Sequence, residues 1–187
     1  MERYIDIRLL PDPEFPANLL MNALFAKLHR GLVGWGNNRI GVSFPRHDDG
    51  IPTLGKCLRL HGDQQNLDDL MARNWFCGMR DNILVVGPET IPTSKVYRCV
   101  YRVQAKSSPE RLRRRYMQRH HTDAQTARQT IPDSTAEMLT LPYVNIGSQS
   151  TGQRFRLFIA HGAIVEKPVE GSFNHYGLSP MATIPWF

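Results

Sequence analysis

Residues 4–32 read YIDIRLLPDPEFPANLLMNALFAKLHRGL, and the change of period within this stretch decides the fold. From 4 to 9 apolar and polar residues alternate: Ile5, Ile7 and Leu9 face one way, and Tyr4, Asp6 and Arg8 the other, as in a half-buried strand. The proline-rich segment 11–16 is a connection. Leu20, Met21, Leu24, Phe25, Leu28 and Leu32 then recur at helical spacing, which predicts an amphipathic helix stopping near Gly31 and Gly34. Working outward, 39–44 and 58–61 read as strands around a polar loop. A helix is predicted over 66–73, with Asn66 as its cap, and a further strand over 83–86. The order βαββαβ is the ferredoxin-like pattern. The second half predicts a strand over 96–104, a helix led by Ser107 or Ser108 with Pro109 in its first turn, and a helix over 123–130. Strands follow over 143–146, 154–160, 163–165 and 183–187. The fold class is therefore α+β, with a ferredoxin-like domain over 1–94 and an α/β domain over 95–187.

Charge is concentrated in that second half. Between residues 98 and 128 lie nine of the 23 Lys and Arg residues but only two of the 17 acids, Glu110 and Asp123. This window carries +7, and the fourteen basic and fifteen acidic residues elsewhere sum to −1. Near-neutrality with one cationic element is the footprint of a polyphosphate partner. On a helical projection Arg111, Arg114, Arg115, Gln118 and Arg119 fall within an arc of about 140°. A solvated face would mix both signs, whereas this arc repels itself. Leu112, Tyr116 and Met117 are too few for a membrane-surface face. Arginine in place of lysine suits bidentate phosphate contacts, so nucleic acid is the expected partner.

Few other chemistries find support. No stretch reaches the roughly 18 apolar residues of a spanning helix. The first residues lack an apolar signal-peptide core, which predicts a cytoplasmic protein. Cys57, Cys77 and Cys99 are odd in number and spaced unlike zinc ligands, and read as buried or half-buried thiols. Neither HExxH nor GxxxxGK[ST] occurs, so no cofactor or metal is expected. Among seven histidines, His29 stands at the rim of the first helix's apolar stripe, in the final turn before Gly31. A helix C-terminus favours the imidazolium. From its place alone, His29 is either a proton-transfer group or a half-buried structural histidine. Residues 147–155, GSQSTGQRF, form either a hairpin turn or a loop that lets hydroxyls approach a sugar or phosphate.

Four ordered motifs narrow these choices: RYIDIRLLPDPEFP (3–16) with LFAKLH (24–29), RVQAKSSPERLRRRYMQRH (102–120), SQSTGQRFRLFI (148–159), and YGLS (176–179) with PWF (185–187). Together they resemble the CRISPR repeat-cleaving endoribonucleases of type I-F systems, over the whole chain. The resemblance implies metal-independent cleavage at the 3′ base of a repeat hairpin, retention of the product, and assembly with other subunits of the type I-F effector complex. It implies that His29 is the catalytic histidine, that Ser148 holds the ribose at the cut, and that Tyr176 orients the histidine. Arg102 and Gln104 would read bases at the foot of the stem. Arg114, Arg115, Arg119 and His120 would grip phosphates in the groove, and Phe155 would stack on the terminal base pair beside Ser150 and Thr151. The chain departs from the pattern at Gln118, where the family carries arginine. A hairpin-binding ribonucleoprotein module without cleavage, with His29 structural, is the alternative.

Overall fold

The computed structural model describes residues 1–48, 50–93, 96–104, 109–135, 139–147 and 154–187. Its mixed architecture confirms the α+β class. Strands β1 (Arg3–Leu9), β2 (Gly41–Ser43), β3 (Cys57–Gly62) and β4 (Ile83–Thr90) form a four-stranded antiparallel sheet in the order β2-β3-β1-β4. Helices α1 (Ala17–Trp35) and α2 (Gln64–Ala72) connect them. The predicted alternation in β1 holds, with Ile5, Ile7 and Leu9 buried. On the opposite face Arg8 is exposed and Tyr4 half-buried, but Asp6 is buried, directly across from Arg59 in the β1–β3 register. Arg59 donates from Nε to Asp6 Oδ1 at 2.6 Å and from Nη2 to Oδ2 at 3.1 Å, and its guanidinium lies against the rings of both Tyr4 and Phe187, which meet edge-on. Burial raises the Asp6 carboxyl, but hydrogen bonds and charge from Arg59 outweigh it and hold the group below its ordinary range.

Helix α1 buries Leu20, Met21, Leu24, Phe25, Leu28 and Leu32, the six residues of the predicted stripe. Full burial of one such side chain stabilises by roughly 1.5–3 kcal/mol. That suffices to hold a helix whose N-cap, Pro16, makes no side-chain hydrogen bond. The helix runs past Gly31 and Gly34 and ends at Gly36, whose left-handed conformation (φ 73°) directs its N–H to Leu32 O. Gly31 is there for packing, since a Cβ would lie 2.8 Å from Trp75 Cβ. In α2 the cap is Asp63, which accepts the Asn66 N–H at 2.8 Å; Asn66 is inside the helix.

The chain divides into two compact units, Met1–Arg102 with Leu141–Phe187, and Val103–Thr140. The single strand predicted over 96–104 is broken at Cys99. β5 (Val96–Arg98) pairs with β9 (Ile184–Trp186), whereas β6 (Val100–Val103) joins β8 (Arg154–His161) and β7 (Tyr143–Gly147) in the order β6-β8-β7. Two different partners impose the break. The predicted strand over 163–165 reduces to one bridge, Tyr97 to Val165. The second unit holds α3 (Pro109–His120) and α4 (Ala124–Thr130), the latter capped by Asp123. The predicted caps Ser107 and Ser108 lie outside the described residues.

Candidate active site

His29 projects from α1 four residues after Phe25 and is half-buried. The turn at 173–178 returns over it from the far end of the chain. The Tyr176 ring stacks on the imidazole at 4.2 Å between centroids and 17° between planes. The same ring lies parallel to buried Phe25 at 6.2 Å, so aromatic contact fixes it on both turns of the helix. His29 Nδ1 is 2.8 Å from the backbone oxygen of His175. A carbonyl can only accept, so Nδ1 carries a proton and Nε2 is left to exchange one. Because α1 continues to Trp35, His29 is not in its final turn, and the helix C-terminus exerts little on it.

The same helix anchors the β7–β8 hairpin, since Asn22 Oδ1 accepts the backbone N–H of Asn145 at 2.9 Å. Asn22 lies seven residues before His29, two turns back on one face. The hairpin pairs as far as Gly147 opposite Arg154. Ser148, Ser150 and Thr151, which follow Gly147, lie outside the described residues. Phe155 is half-buried on β8, and the Arg102 guanidinium stands 5.5 Å from the centre of its ring. Arg102 Nε is buried without a hydrogen-bond partner among the described residues. Gln104 is exposed just beyond β6.

In the second unit, Arg111, Arg114, Arg115, Gln118 and Arg119 are all exposed, as the projection predicts, and so is His120, whose ring lies 4.4 Å from that of Tyr116. Leu112, Arg113, Tyr116 and Met117 form the half-buried side. Arg113 is committed internally: its Nε donates to Ile131 O and its Nη2 to Asp133 Oδ1, both at 2.7 Å.

Residues 4–187 match the family described as CRISPR-associated protein (Cas_Csy4). The chain belongs to that family. It is 52% identical over all 187 residues, covering both chains completely, to the CRISPR-associated endonuclease Cas6/Csy4 of Pseudomonas aeruginosa (strain UCBPP-PA14). It is 44% identical over the same full length to the CRISPR-associated endonuclease Cas6/Csy4 of Escherichia coli (strain UTI89 / UPEC).

Within this Csy4-family chain some site features were invisible to the sequence reading. The carbonyl of His175 was missed because its histidine has no distinguishing neighbours and lies 146 residues from its partner. Cys77 is exposed, not buried as expected, while burial pushes the Cys57 thiol up to about 11. Among the described residues, no group of three His, Cys, Asp or Glu side chains is gathered as metal ligands would be, and no helix is long and apolar enough to cross a membrane.

Proposed function

We propose that this chain is an endoribonuclease that binds the hairpin of a CRISPR repeat RNA, cuts at the 3′ base of the stem and stays on its product as part of a type I-F assembly. The carrying observation is His29, with its ring stacked by Tyr176 and its Nδ1 committed to a carbonyl. Such an imidazole has one nitrogen available and little rotational freedom, which is what proton transfer at a fixed phosphodiester requires.

In this reading a 2′-hydroxyl attacks the adjacent phosphorus, forming a 2′,3′-cyclic phosphate and expelling the 5′-oxygen of the next nucleotide. One proton leaves the nucleophile and one reaches the leaving group, and His29 Nε2 serves one of these transfers. The nucleophile belongs to the substrate, so the reaction proceeds without a metal. Ser148 holds the ribose for in-line attack. A deep, narrow A-form major groove admits a helix only where the duplex ends, and the foot of a hairpin is such an end. Phe155 stacks on the terminal base pair, with Ser150 and Thr151 beside it. Arg102 and Gln104 read the bases there, and the exposed face of α3 grips phosphates through Arg114, Arg115, Arg119 and His120. The sheet order β2-β3-β1-β4 supports a ferredoxin-like scaffold over 1–94, and the cationic helix supports RNA recognition by 95–187.

Incubation with repeat hairpin RNA in excess EDTA tests the reading. The wild type is expected to cut once, at the base of the stem. His29→Ala should bind comparably and cut about 10²–10⁴-fold more slowly. Binding without cleavage by the wild type, or an unimpaired His29→Ala variant, would overturn it.

A further inference from the structure

We infer that Asn174 is a positioning residue that sets which nitrogen of His29 exchanges protons. The inference rests on the reading of His29 as the proton-transfer group. Both contacts to His29 come from adjacent residues, the carbonyl of His175 and the ring of Tyr176, so the shape of one short turn fixes them together. Asn174 organises that turn. Three successive backbone amides donate to it: Tyr176 N–H to Oδ1 at 2.8 Å, Gly177 N–H to its carbonyl at 2.8 Å, and Leu178 N–H to Oδ1 at 3.2 Å. Its own N–H donates to Leu178 O at 3.0 Å.

The turn is seated as well as closed. Gly177 adopts φ 71°, a left-handed conformation, and a Cβ there would collide with Val42. The Val42 N–H donates to Gly177 O at 2.8 Å, and on the flanks the N–H groups of Phe173 and Ser179 donate to Asn38 O and Val100 O. These backbone bonds seat the turn, and within it the amides of Tyr176 and Leu178 depend on the Asn174 side chain. Asn174 is exposed, so its side chain adds little to the apolar core. Without Oδ1, the amides of Tyr176 and Leu178 lose their acceptor, and the peptide carrying the His175 carbonyl loses the bond that its own N–H makes, so its orientation loosens although the backbone closure from Asn174 to Gly177 remains. Once the carbonyl leaves Nδ1, the imidazole proton distributes over both nitrogens, and Nε2 no longer has a single role.

The test pairs histidine 15N–1H correlation spectra with single-turnover cleavage of repeat hairpin RNA. In the wild type at mildly alkaline pH, His29 is expected as the Nδ1–H tautomer; an Nε2–H tautomer there overturns the inference without any variant. Asn174→Ala should shift His29 toward Nε2–H and slow cleavage by about ten- to a hundred-fold at unchanged RNA affinity. Asn174→Asp keeps the acceptor and should restore both. An Asn174→Ala protein with the wild-type tautomer and rate would contradict the proposal. If the wild type binds RNA but does not cut, the functional reading falls, while the spectra still decide the role of Asn174.

Discussion

His61 and His161 are two histidines that the fold keeps neutral. His61 is fully buried, with Nε2 2.8 Å from Ser43 Oγ and Nδ1 without a hydrogen-bond partner among the described residues. Burial, with a smaller contribution from the Arg59 charge, pushes it down to about 3. His161 stacks on His47 at 3.6 Å and meets Phe44 and Trp186 edge-on. Burial, then the positive charges of His47 and Arg98, lowers it to about 3 as well. Both folded values lie below the unfolded value of about 6.5, so below that pH the unfolded chain binds more protons. The stabilisation is complete above pH 6.5 and is lost as pH falls toward 3. Each histidine contributes a slope approaching 1.4 kcal/mol, roughly, per pH unit. Urea titrations at pH 7.5, 6 and 5 should show this decline, and His161→Phe should remove about half of it. Identical declines in wild type and variant would mean that His161 takes up its proton as readily in the fold as in the unfolded chain.

The arginine helix shows at the scale of the element what local sequence can and cannot carry. Its exposed arc was legible because a helical period and a single sign of charge are local properties. Arg113, one residue from Arg114 and two from Arg111 and Arg115, lies on the half-buried side and is instead bound to Ile131 and Asp133. We expect Arg115→Ala and Arg119→Ala each to weaken hairpin binding and to flatten its salt dependence by about one phosphate contact, a slope change near 0.9 if an RNA stem behaves like B-DNA. Arg113→Ala should lower stability and leave that slope intact. Titrations at several salt concentrations check this, and unchanged slopes for Arg115→Ala and Arg119→Ala would remove α3 from the interface. Elsewhere the local rules misled. Gly31 carries the usual signature of a helix end, yet it accommodates Trp75 from another element while the helix continues. The break at Cys99 was hidden for the same reason, because two distant partner strands impose it.

Across the whole molecule, the candidate site is an agreement between the two ends of the chain. Residue 29 supplies the imidazole, and residues 175 and 176 supply the carbonyl and the ring that hold it. The stripe that places α1 was readable from spacing alone, because helix burial repeats locally. The contacts over His29 were not, because each joins residues more than 140 positions apart and leaves no period. Only the resemblance joined His29 to Tyr176 in advance, and it did so without the carbonyl. In the proposed function, this arrangement assists attack by the substrate's own 2′-hydroxyl. A repeat hairpin with one 2′-deoxy ribose just before the cut tests it most directly. This RNA should bind as tightly as the unmodified hairpin and stay intact, while the unmodified RNA yields an upstream fragment ending in a 2′,3′-cyclic phosphate. Cleavage of the deoxy substrate at the same phosphodiester would mean that the 2′-hydroxyl is not the nucleophile, and the roles of His29 and Ser148 would fall together.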